Sequence, residues 1–173
     1  AVTKDGVLVS IHDLTLERTT DVEDVFPDRF VEEKSGTSII RHWYVHDFTL
    51  AEIKRLDAGS WFDKKFAGLR ILTFQEAIDL VKGKAGLYPE LKDPEFYRQR
   101  GVNPEKLFAD IIKKNGLESD PKTPLILQSF DDGDLELKEV EIEEDNADLS
   151  AISDEDSPVV KMVNKIILDA CNA

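Results

Sequence analysis

The 173 residues contain one cysteine, Cys171. No disulfide can close within the chain, and cysteine usage leaves the redox compartment open. Cys171 lies on an apolar helical stripe, which suits packing better than a catalytic thiol. No apolar run approaches the roughly 20 residues of a membrane-spanning helix. Basic residues are in deficit: 22 Lys and Arg stand against 36 Asp and Glu, a net charge of −14. That balance argues against nucleic-acid binding, which draws on Lys and Arg at phosphates. It also argues against a peripheral role on anionic membranes. There is no internal repeat.

What is present fits a globular domain: 41% hydrophobic and 34% charged residues in a length that can bury a core. Residues 3–20 read TKDGVLVSIHDLTLERTT. A turn at Lys4-Asp5-Gly6 opens an apolar run that ends in His12-Asp13. The pattern predicts a strand over 7–12 with a histidine at its C-terminal end, where α/β barrels place their chemistry. Imidazole changes charge near neutral pH and suits proton transfer.

Residues 13–50 read as irregular. Thr49 with Glu52 and Thr73 with Glu76 are capping-box pairs. They predict a short helix from 49 and a longer one over 73–81, with Phe74, Ala77, Ile78 and Val81 inward. Residues 57–70 read as a loop with Trp61, Phe62 and Phe66 buried. A strand over 86–92 follows, then a polar loop over 94–103. Pro104 opens a helix faced by Leu107, Phe108, Ile111 and Ile112 and ended by Asn115-Gly116. Residues 125–127 read as a further strand. The alternation of strand and helix is the parallel α/β signature. Between 131 and 156, 13 of 26 residues are Asp or Glu, which predicts a solvated or partly disordered acidic linker over 132–157. An amphipathic helix is expected over 158–173.

Glu90 and Lys92 share one face of their strand. A carboxylate and an ammonium aimed into a barrel are costly unless they hold something charged. A divalent cation and a phosphate together would satisfy both. The plain alternative is a salt bridge between them. His42 and His46 are four apart, but nothing nearby supplies a third metal ligand, and a surface role is expected.

The TKDG…HD-x-TL-x-RTT segment resembles the glycerophosphodiester phosphodiesterase family. LDAGSWF at 56–62, LTFQEAIDLV at 72–81, GLYPELK at 86–92 and ILQSFD at 126–131 agree with it in order. The resemblance implies a TIM (β/α)8 barrel, with residues 1–131 as a partial barrel domain and an insertion at about 19–50 capping the barrel mouth. It implies metal-dependent hydrolysis of a small-molecule glycerophosphodiester to glycerol 3-phosphate and an alcohol, with magnesium or calcium as cofactor. His12 would be one of two acid/base histidines, Glu90 a metal ligand and Lys92 the phosphate contact. Asp13, Arg18, Gln128 and Trp61 would support them.

The family pattern also has a His-Arg-Gly, and a Glu-x-Asp just ahead of the TKDG turn. Neither is in this chain. The barrel is therefore expected to be incomplete at both ends, and the chain alone inactive. Two other readings stay open: a truncated or diverged binding module, and a related barrel phospholipase. The polar loop after Lys92 leans towards a secreted or periplasmic setting. Oligomeric state is not legible.

Overall fold

The computed structural model describes residues 1–129 of the chain. The acidic segment, the terminal amphipathic helix and Cys171 lie outside the described residues.

The chain opens with a tight reversal. Gly6, at φ 78°, donates its N–H to Thr3 O at 3.0 Å, and Thr3 N–H reaches Val7 O at 2.9 Å. Thr3 Oγ1 donates to Asp5 Oδ1 and accepts from Val7 N–H, which locks the turn from inside. This brings Val2 opposite Leu8 in an antiparallel bridge. The run expected as a parallel barrel strand over 7–12 is therefore the return arm of a hairpin. Val9 makes a second antiparallel bridge, to Thr73. Successive side chains on an extended arm point to opposite faces, so Leu8 and Val9 enter different hydrophobic clusters. One gathers Leu8, Phe74, Ile78, Leu91, Phe108 and Ile112. The other gathers Val9, Leu16, Trp43, Phe48, Leu56 and Ile71.

The stretch expected to be irregular holds more order than its sequence suggests. It contains α1 (Val22–Val25) and an antiparallel ribbon of β1 (Val31–Ser35) and β2 (Ser38–His42), closed through Gly36 at φ 63°. All of β1 and nearly all of β2 are exposed. With no buried face, the ribbon lacks the apolar–polar alternation that makes strands legible.

Next come α2 (Leu50–Ile53) and α3 (Phe74–Val81), each entered through the expected capping box. Thr49 accepts from Glu52 N–H and Thr73 from Glu76 N–H, while each glutamate reaches back to its threonine N–H. The Thr49 backbone donor, then Arg29, hold the Glu52 carboxyl down at about 2. Phe74 and Ile78, one turn apart, bury the inner face of α3.

The 57–70 loop differs from expectation. Asp57 accepts N–H groups from Gly59, Ser60 and Gly68 at 2.7–2.9 Å, and these donors hold its carboxyl well below the usual carboxylate range. The loop closes backbone to backbone: a Cβ on Gly59 would lie 2.0 Å from Phe66 O. No room for rings remains inside. Trp61 and Phe62 accordingly face outward, 53% and 71% exposed.

Residues 87–90 and 125–128 form a parallel ladder. Leu87 bridges Leu125 and Glu90 bridges Gln128, with Leu87 N–H on Pro124 O, Ile126 N–H on Leu87 O and Gln128 N–H on Pro89 O. The first predicted strand is here at 87–90, shorter than the expected 86–92, and the second at 125–128, close to expectation. The polar loop expected after the first contains α4 (Pro94–Arg98), capped by Asp93 in the left-handed region. Five residues with one fully buried aromatic, Tyr97, show no readable period. Tyr97 Oη accepts Val2 N–H at 3.1 Å, and burial raises its hydroxyl to about 12. Finally α5 (Pro104–Asn115) runs as predicted, from an Asn103 cap to Gly116 at φ 62°.

Thr73→Ala removes one cap acceptor and should cost about 1 kcal/mol in urea unfolding. Loss of the buried Ile78 side chain in Ile78→Ala should cost about 2–5 kcal/mol. The pH response has a definite sign. A folded Glu52 at about 2 against an ordinary 4.5 contributes stability above pH 4.5 that disappears as pH falls towards 2. Between those values wild type should lose more stability than Glu52→Gln; parallel losses would remove Glu52 from the acid response.

Candidate active site

His12, Glu90 and Lys92 line one cavity of about 390 Å³. The hairpin arm carries the first and the parallel ladder the other two. Phe74 and Phe108, stacked at 5.3 Å, also line it from α3 and α5. Their helical spacing reads as core, so the sequence held no sign that they border a site.

His12 is the exposed member, with 68% of its side chain accessible. Its Nδ1 lies 2.7 Å from Asp13 Oδ1, and Arg18 Nε donates to Asp13 Oδ2 at 2.5 Å. The Arg18 hydrogen bond and the His12 contact together hold the Asp13 carboxyl below its ordinary range against partial burial. A charged carboxylate at Nδ1 favours the tautomer with its proton there, which leaves Nε2 to exchange a proton. Asp13 thus contacts His12 directly, and Arg18 contacts Asp13.

Lys92 Nζ donates to Glu90 Oε1 at 3.2 Å. The two side chains are 33% and 22% accessible, so the pair is desolvated only in part. Gln128 lies beside Glu90 on the neighbouring strand, with its backbone engaged in the ladder. It does not line the cavity. Trp61 stands apart from Glu90 and Lys92, beside His12 on a different surface depression.

His42 and His46 do not converge. His42 Nδ1 meets Glu17 Oε1 at 2.8 Å, while Glu17 Oε2 accepts Trp43 N–H. His46 packs against Tyr44 and Phe96, and burial lowers its pKa. Among the described residues, no three His, Cys, Asp or Glu side chains gather to hold a metal ion. Among the described residues, Glu90 is the one carboxylate on the cavity. These residues do not by themselves amount to a cation site. No helix among the described residues is long and apolar enough to cross a membrane.

The fold is shared with solved phosphodiesterases. A glycerophosphodiester phosphodiesterase from Agrobacterium tumefaciens aligns at TM-score 0.53 and 29% identity, over 76% of this chain and 43% of that one. A phosphodiesterase from Oleispira antarctica, solved with the product sn-glycerol-3-phosphate, aligns at TM-score 0.55 and 29% identity, over 75% and 43%. The architecture is therefore that of a TIM-type α/β barrel, present here in part. The model of the glycerophosphoryl diester phosphodiesterase family matches residues 1–164, and the chain belongs to that family. The match runs beyond Asp131, where the recognisable motifs stop. The glycerophosphodiester phosphodiesterase of Haemophilus influenzae is 35% identical over 165 residues, 82% of this chain and 43% of that protein. The one from Bacillus subtilis is 36% identical over 138 residues, 75% and 40%. The chain thus spans about two-fifths of the length of these relatives.

Arg18→Met should raise the Asp13 carboxyl towards its ordinary value, because the largest cause of its depression is the Arg18 hydrogen bond. Carboxyl-detected NMR titration checks this. An unmoved Asp13 would mean that Arg18 does not act on the pair.

Proposed function

We propose that the protein hydrolyses glycerophosphodiesters to glycerol 3-phosphate and an alcohol. The supporting observation is the meeting of His12, Glu90 and Lys92 on one cavity in a chain of this family. In this reading Lys92 meets the phosphate as a point charge. His12, held at Nδ1 by Asp13, exchanges a proton at Nε2 with the reacting oxygen, as general acid or base. A divalent cation, magnesium or calcium, belongs to the reading through Glu90 alone. No step is assigned to it, since the described residues do not complete a site for it.

The Glu90–Lys92 ion pair supports a second reading, in which the pair is structural and the protein a non-catalytic member of the family. Direct titration with sn-glycerol 3-phosphate separates the two. Binding that Lys92→Met abolishes favours the hydrolase, whereas no binding favours the structural pair.

In a full-length form that contains this chain, His12→Ala should lower turnover of a glycerophosphodiester at least about a hundredfold, the lower scale for a lost general acid or base, with little change in KM. Near-normal turnover would remove His12 from the mechanism. In the full-length form, Glu90→Gln should weaken magnesium and calcium binding in calorimetric titration, while Glu90→Ala should not unfold the protein. Unchanged affinity would leave Glu90 only its ion pair.

A further inference from the structure

The 57–70 loop holds three large apolar side chains out in water: Phe62 is 71% exposed, Leu69 56% and Trp61 53%. They form one patch. Trp61 and Phe62 meet edge to face at 5.8 Å, Phe62 lies 5.9 Å from Phe66, and Trp61 and Leu69 line the same depression. The rings cannot fold inward, because Gly59 is closed against Phe66 O and Ala58 N–H is tied to Leu69 O at 2.8 Å. Single exposed apolar residues are ordinary, but a contiguous patch with a polar rim marks a contact surface.

The rim narrows the partner. Lys64, Lys65 and Arg70 are exposed on the loop. Against them stand Asp63, ion-paired to Lys65 at 3.3 Å, and Asp21 and Asp57, which share a depression with Trp61. Nearby Arg18 is already paired with Asp13. The charges on the rim therefore balance, and a charged protein partner would find no complementary field there. A second copy would bring a further net charge of −14 and be repelled. Apolar area inside a balanced rim matches a surface of the same character, an apolar interior beneath phosphate and ammonium groups. Two details fit that surface. Trp61 Nε1–H donates to Ala58 O at 3.0 Å, so the exposed part of the indole is hydrocarbon. Lys65 Nζ lies 4.8 Å from the centre of the Phe66 ring, the posture of a lysine whose stem covers apolar surface while its head reaches a polar layer.

We propose that the 57–70 loop seats on the surface of a net-neutral phospholipid bilayer. Trp61, Phe62 and Leu69 enter the boundary between headgroups and acyl chains, where membrane proteins concentrate their aromatic rings. Lys64, Lys65 and Arg70 meet lipid phosphates. An anionic bilayer is disfavoured by the net charge of −14. The docking does not depend on the reaction proposed above.

The test mixes the full chain with phosphatidylcholine vesicles, floats them on a density gradient and reads tryptophan emission in parallel. Trp43 is buried and Trp61 exposed, so a blue shift reports Trp61. Co-flotation with a blue shift is expected. Phe62→Ser combined with Leu69→Ser should weaken partitioning at least about tenfold, the scale of one or two apolar side chains returned to water. Circular dichroism and urea unfolding of that variant should match wild type, since both side chains already face water. Ile39→Ser, on the exposed ribbon, should leave flotation unchanged. Adding phosphatidylglycerol to the vesicles should weaken binding at low salt, and added salt should restore it. Absence of flotation with phosphatidylcholine overturns the proposal, as does undiminished binding of the double variant or an equal loss in Ile39→Ser. Self-association that Phe62→Ser removes, without flotation, would assign the patch to a second copy instead. Tighter binding to the phosphatidylglycerol vesicles overturns the choice of a neutral surface.

Discussion

Two backbone hydrogen bonds hold the centre of this structure together: Ser10 N–H to Leu72 O and Phe74 N–H to Leu8 O, both at 2.8 Å. They fasten the arm that carries His12 to the start of α3. Thr73, between the two acceptor and donor residues on that side, bridges Val9 and caps the helix at the same time. Leu8 and Val9 then send their side chains into the two hydrophobic clusters. One small joint therefore sets the direction of a helix, the boundary between two cores and the position of the exposed imidazole. An unmade bond between Phe74 and Leu8, both buried, would cost more than its own energy, since buried donors and acceptors carry a desolvation penalty.

The rest of the site is arranged on a different support. Glu90 and Lys92 are placed by the parallel ladder, whose register is set by Leu87 N–H on Pro124 O and Leu91 N–H on Gln128 O. Buried Thr123 adds a tie, its hydroxyl accepting Gly83 N–H at 2.7 Å just after α3 ends. The helix that begins at the His12 joint thus ends against the segment that leads into the second strand. The charged groups are in this way referred to the histidine through backbone contacts at both ends of α3.

Legibility in the sequence followed the physics of burial. The capping boxes at Thr49 and Thr73, and the Pro104-to-Gly116 helix, were readable because their signals are local and chemical. The ladder strands were readable because their apolar runs are bounded by turns. The 7–12 run was legible as extended chain but not as a hairpin arm, because parallel and antiparallel pairing leave the same short apolar run. The outward rings of Trp61 and Phe62 were read as buried because their apolar character was visible, while the closure of Gly59 against Phe66 O was not. The convergence of His12 with Glu90 and Lys92 lay in the family motifs.

The β1–β2 ribbon has a consequence of its own. Val31, Ile39 and Ile40 are exposed on it, and among the described residues its strands pair only with each other. Its amides are then protected by five local pairs rather than by a core, which places its opening free energy at the low end of the molecule. In hydrogen exchange it should behave as a separate cooperative unit that opens without disturbing the joint at Thr73. An element held mainly by its own ladder can change length or sequence at little cost to the two hydrophobic clusters.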